Sequence, residues 1–171
     1  MAGLSAAIEA DEVGASVIVL EKMKVTGGNT RISDGGVAAP NNYLQEKQGI
    51  EDSSDLFYTD MLGAGLGFNH PPLVKIVAEK ATGAIDWTRN TLGVKYLDRL
   101  DRFGGHSVAR CLTTKNHSGA DFIRAHASRH IVYTLPVSLS IPAPVTVSST
   151  NGVIAGSAVM RFLKPGIPVL E

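Results

Sequence analysis

The sequence predicts an α/β fold, an incomplete Rossmann-like domain with a helical insertion and a β-rich C-terminal segment. Three observations point there. An alanine-rich helical pattern runs into the β-branched stretch "SVIVL" at 16–20, which ends on Glu21; a glycine-dense loop, "GGNTRISDGG" at 27–36, comes next; beyond residue 130 the composition turns to Val, Ile, Ser, Thr and Pro. We read 1–171 as one partial domain. Within it, 1–42 holds the remnant of a βαβ unit and the glycine loop, 43–125 a helical insertion and a second glycine turn, and 126–171 the β-rich segment.

The elements follow in order. Leu4, Ala7, Ile8 and Val13 fall near helical spacing, and Gly14 stands where a left-handed residue ends a helix, so Gly3 to Val13 is predicted helical. "SVIVL" has the form of a strand buried on both faces, which predicts a place in a parallel sheet. Leu56, Phe57, Met61 and Leu62 repeat at helical spacing behind Ser53 and Ser54 as caps, and "HPPLVKIVAEKATGAIDWTRN" restarts a helix after its prolines. "GVKYLDRLDRFGGHSVARC" reads as short strands and turns. In the tail, Asn151-Gly152 between β-rich runs predicts a hairpin turn.

Composition narrows the function classes. Sixteen basic and sixteen acidic residues interleave, so no basic field favours nucleic acid and no polybasic run favours an anionic membrane. No stretch approaches the roughly 18 uninterrupted apolar residues of a membrane span, and no signal-like N-terminus is present, so the chain reads as soluble and unexported. The single cysteine, Cys111, has no internal disulfide partner, which leaves periplasm and cytoplasm both open.

In a dinucleotide-binding βαβ unit, a glycine-rich turn leads into a helix whose N-terminus faces the pyrophosphate, and an acidic side chain ending the next strand takes the ribose hydroxyls. Gly3 opens a helix here, and Glu21 follows at close to the expected interval of about 20 residues. The alternative is an ordinary helix–strand pair ending in a solvated Glu. Gly27, Gly28, Asn29, Thr30, Gly35 and Gly36 then offer open backbone N–H groups and short polar side chains that can cradle a pyrophosphate or a flavin edge; a tight turn is the simpler reading of either glycine pair alone.

"AGLSAAIEADEVGASVIVLEK" together with "GGNTRISDGGVAA" resembles the flavin domain of the fumarate reductase and succinate dehydrogenase flavoprotein family, most of all the soluble flavocytochrome c fumarate reductases. The likeness continues through "DLFYTDMLGAGLGFNHPPLVKIVAEKATGAIDW" and "LGVKYLDRLDRFGGHSVARC", where the family has a helical insertion and a Gly-Gly-His-Ser turn near the flavin. It implies FAD as cofactor, with Ala2 and Gly3 facing the pyrophosphate and Glu21 binding the adenosine ribose. Gly28, Asn29, Thr30 and Ser33 would surround phosphate or ribitol oxygens, and Gly35 and Gly36 would lie against the isoalloxazine. Members with covalent flavin carry His where this chain reads Asn29-Thr30, so the FAD is expected to be non-covalent. The resemblance also implies a small carboxylate substrate such as fumarate or succinate, and a haem or other electron-transfer partner. The Arg and His residues that grip the substrate in the family have no counterpart in this chain, so no catalytic residue is assigned, and an inactive product with weak or no FAD binding is the competing expectation. Both ends are expected to be truncated, with the first strand of the unit and its G-x-G turn upstream of Met1.

The remaining candidates carry less. His106 in "FGGHSVARC" could polarise a group near the flavin, and Arg110 could neutralise an anion, each against a structural or solvated alternative. His70, His117, His126 and His130 show no ligand spacing with carboxylates, so no metal is expected. Cys111 reads as a buried structural thiol and Trp87 as a core anchor.

Overall fold

The computed structural model describes residues 1–21, 23, 25–127, 152–155 and 158–163. The chain forms two compact units, one of Met1–Ile32 with Phe122–Glu171 and the other of Ser33–Asp121.

In the first unit, α1 spans Ala2–Glu12 and buries Gly3, Leu4, Ala7 and Ile8, whereas Val13, expected on the same face, follows the last helical turn and is exposed. Its end is a Schellman turn. Gly14, at φ +80°, donates its N–H to Asp11, and Ala15 donates to Ala10, which satisfies two of the last carbonyls. Strand β1, Ser16–Glu21, then runs beside β5, Ala158–Leu163, which pairs on its other side with β4, Gly152–Ala155. Both ladders are antiparallel, with Ser16 opposite Leu163 and Glu21 opposite Ala158. The parallel pairing expected of β1 is therefore not what the described residues show. A parallel neighbour needs a crossover connection, whereas the β4–β5 pair offers its strand directly in the reverse sense. Gly152 of the expected Asn151-Gly152 turn opens β4, while Asn151 lies outside the described residues. Of the expected β-rich segment, 126–171, residues 128–151, 156–157 and 164–171 lie outside the described residues. Leu4, Ala7, Val19 and Ile123 close the core of this unit, with Ala6 and Val17 against it. A short helix not foreseen from the sequence, α2, occupies Gly28–Ile32.

In the second unit, β2, Gly36–Ala38, pairs antiparallel with β3, Cys111–Thr113. Between them, α3 spans Tyr43–Gln48 behind a capping box in which Asn42 and Gln45 satisfy each other's backbone donors, and Gly49 ends it in the left-handed region. Helix α4 spans Ser54–Ala64, capped by Ser53 as expected, and α5 spans Pro71–Asn90 with two prolines in its first turn, where their missing N–H groups are not needed. Ala39, Leu44, Ile85 and Leu112 form the core. Helix α6, Ala120–Ala127, starts at the end of this unit and continues into the first.

Candidate functional site

Glu21 ends β1 and is only 8% exposed, so a carboxylate sits buried where the strand stops. One of its oxygens accepts the Met23 N–H at 3.0 Å, and the two oxygens together have room for about four donors. The N-terminus of α1 carries no side-chain cap and no acidic residue in its first turn, which leaves its N–H groups and positive dipole end to an external anion. These features converge. The Met1 amine lies 3.5 Å from the Thr30 hydroxyl of α2, and burial lowers that amine's proton affinity while the nearby Glu21 carboxylate raises it. The structure thus brings Ala2 and Gly3, Glu21 and Thr30 to one end of the first unit. Gly28 and Asn29 are exposed on the first turn of α2, with Gly28 at φ +51°. An uncapped helix end beside a buried carboxylate is the donor and acceptor set that a pyrophosphate and a ribose require, and the residues present fit a dinucleotide.

Ser33, Gly35 and Gly36 belong to the second unit. Gly35 is buried at φ +75°, and a Cβ there would come within 2.8 Å of the Ser118 backbone carbon and closer still to the Thr114 hydroxyl. Thr114 donates its N–H to the Gly35 carbonyl at 3.1 Å, Gly119 donates to the Ser33 carbonyl at 2.9 Å, and Asp34 accepts the Gly36 N–H at 3.0 Å. The missing side chain at Gly35 therefore makes room for the chain's own turn at 114–119. Thr114 and Ser118 went unrecognised in the sequence, although "TTKNHSG" between a strand and a helix carries the polar turn signature. Gly35→Ala should lower stability by about 2–4 kcal/mol, from left-handed strain and overpacking together. Urea denaturation checks this against Gly36→Ala, whose Cβ meets nothing nearer than the Asp34 carboxylate at 3.3 Å.

Arg110 is not a solvated surface residue. Its side chain is 0% exposed, holds Asp52 through Nε and Nη2 at 2.8 Å each, and reaches Asp60 from Nη1 at 2.5 Å. Two carboxylates already neutralise it, and burial, which works against its charge, is outweighed by their bonds, so its proton is held more tightly than usual. Asp60 in turn accepts the Ser107 N–H at 2.8 Å and its hydroxyl; burial pushes its carboxyl up, but these bonds and Arg110 hold it below the usual range. His106 stacks on Phe57 with centroids 5.7 Å apart. Its Nδ1 lies 3.2 Å from Arg110 Nη1, which can only donate, so the imidazole proton sits on Nε2; burial and then the Arg110 charge keep the ring's proton affinity low. Cys111 is buried in β3 and burial raises its thiol, the structural role expected. His70 precedes the prolines of α5, His117 turns the 114–119 loop at φ +50°, Trp87 is half-buried on α5, and His130 lies outside the described residues. No helix among the described residues is long and apolar enough to cross a membrane.

Comparison with known proteins decides what these elements belong to. Residues 1–155 match the FAD binding domain family. The chain belongs to that family, and FAD is its cofactor. Among curated proteins it is similar to a urocanate reductase of Eggerthella lenta, 35% identical over 156 residues, covering 91% of this chain and 26% of the relative. It is also similar to an acrylate reductase flavoprotein subunit of Shewanella woodyi, 43% identical over 120 residues, or 70% of this chain and 24% of that one. Among solved structures, the open conformation of a flavocytochrome c3 fumarate reductase superposes with a TM-score of 0.68 at 34% identity, over 78% of this chain and 24% of that chain. The chain thus spans about a quarter of the length of the relatives it matches. The fold is the α/β FAD-binding fold of fumarate reductase flavoproteins, as the sequence motifs implied.

Proposed function

We propose that this chain holds the FAD of an oxidoreductase that moves a hydride between flavin and a small carboxylate such as fumarate or succinate. The convergence of the α1 N-terminus, Glu21 and Thr30 in the first unit carries the reading. Ala2 and Gly3 offer backbone N–H groups to the pyrophosphate and Glu21 accepts from the ribose hydroxyls. Gly28, Asn29 and Thr30 of the first unit serve phosphate oxygens, whereas Gly35 serves the chain's own turn at 114–119. FAD, when bound, supplies the redox chemistry, and the chain supplies binding and orientation. The substrate class is supported by relatives named for urocanate, acrylate and fumarate, and an electron-transfer partner by the flavocytochrome among them. Arg110 is assigned no part in proton transfer, because Asp52 and Asp60 occupy its guanidinium.

The purified chain should show flavin absorbance, and acid precipitation should release all of the colour to the supernatant. A colourless chain that takes up no added FAD would refute the site, and flavin retained in the pellet would refute the non-covalent assignment. Fumarate, acrylate or urocanate should perturb the visible spectrum of the loaded protein; loading without response to any of them would confine the chain to flavin binding.

A further inference from the structure

His126 of α6 is 1% exposed in the core of the first unit, and both of its ring nitrogens are engaged. Nδ1 lies 2.6 Å from the Phe122 carbonyl, which can only accept, so the ring proton sits on Nδ1. Nε2 is then the acceptor, and the Ser5 hydroxyl, 3.0 Å away, donates to it. Ser5 stands in the turn that the flavin assignment uses. Its N–H closes the first turn of α1 on the Met1 carbonyl at 3.0 Å, and its hydroxyl has a second acceptor in that carbonyl at 3.4 Å. Leu4, Ala7 and Ile123 pack the same two helices together. The Ser5–His126 hydrogen bond is thus a polar tie between α6 and the first turn of α1.

We propose that the Ser5–His126 hydrogen bond fixes the first turn of α1 in its dinucleotide-binding position, so that FAD is held while His126 is neutral and is released as the ring takes up a proton. The inference rests on that turn facing the pyrophosphate. An imidazolium has no lone pair for Ser5, and it would place a charge in an apolar core; the hydroxyl would turn to Met1 and the helices would lose their tie. The described charged groups on the surrounding elements are the Met1 amine, Glu9, Asp11 and Glu12 of α1, Glu21 of β1, Arg31 of α2, and Asp121 and Arg124 of α6. Burial foremost, and the Met1 amine as well, oppose protonation of the ring, while its bond to Phe122 favours it. His126 makes no contact with FAD in this account and is a positioning residue.

The sign follows from the depressed proton affinity. With FAD bound the ring is held as the acceptor of the Ser5 hydroxyl and resists a proton, and a first turn freed by loss of FAD lets the ring take one up nearer the ordinary imidazole value of about 6.5, so FAD affinity is complete above that pH and falls below it. FAD affinity, measured by quenching of flavin fluorescence, should weaken about tenfold between about pH 8 and about pH 5.5 in the parent chain. His126→Gln keeps an amide oxygen for Ser5 and an amide N–H for Phe122 but cannot titrate, so its affinity should change far less over the same range. Ser5→Ala removes the donor and should likewise flatten the profile, at weaker affinity throughout. Imidazole nitrogen NMR should find His126 protonated on Nδ1 at neutral pH. A proton on Nε2, or a pH profile in His126→Gln as steep as in the parent, would overturn the proposal while leaving the flavin site standing; absence of FAD binding at every pH would remove both.

Discussion

Arg110→Ala should destabilise the second unit by about 3–5 kcal/mol, the usual cost of stripping one partner from a buried ion pair. Asp52 and Asp60 reach the guanidinium from segments 58 and 50 residues away, and the Asp52 side chain is fully buried. Without Arg110 the two carboxylates would face each other with no counter-charge. The loss would spread, because Gln45 also donates to Asp52 at 2.8 Å and the Arg110 carbonyl accepts from Ala39 N–H at 3.3 Å, the end of β2. Lysine should rescue little, since a single ammonium cannot reproduce the fork that grips Asp52. Urea denaturation measures the effect, and a loss below about 1 kcal/mol would mean that the pair is screened like a surface one. Acid should act on the same cluster. Asp60 is held below its ordinary value of 3.8, so its contribution is complete above that pH and fades as the pH falls through the folded value.

What could be read from the sequence depended on how far away the deciding partner lay. The ends of α1, α4 and α5 were legible because Gly14, Ser53 and Pro71 act within one turn of themselves. Helix α3 went unread, because its capping box of Asn42 and Gln45 introduces only six residues, too few for a periodicity. The partner of β1 was not legible: β5 lies more than a hundred residues on, and a β-branched run accepts either pairing sense. Arg110 reads as any solvated arginine until Asp52 and Asp60 fold onto it. Gly35 was visible as a place that tolerates no side chain, but only the fold shows Thr114 and Ser118 filling the space. Ser5 and His126 are 121 residues apart, and nothing local to either suggests the other.

Glu21→Ala should weaken FAD binding by tenfold or more. An ionised acceptor gains about 1.5–3 kcal/mol from each hydrogen bond it receives, and the proposed site gives Glu21 two ribose hydroxyls. The geometry favours a large effect, because the carboxylate is already desolvated and gains most from donors delivered to it by the ligand. Its bond from Met23 fixes one oxygen at the strand end, so little ordering remains when the ribose arrives. Glu21→Gln keeps one acceptor oxygen but loses the charge, and should fall between the parent and the alanine variant. Titration of the apo-chain with FAD measures all three, and a parallel melting curve without FAD separates lost contact from lost structure. If the alanine variant melts like the parent and binds FAD as tightly, Glu21 only closes the turn onto Met23, and the ribose must be held elsewhere. If the glutamine variant matches the alanine one, the charge of the acceptor rather than the number of acceptor oxygens governs the hydrogen bonds to the ribose.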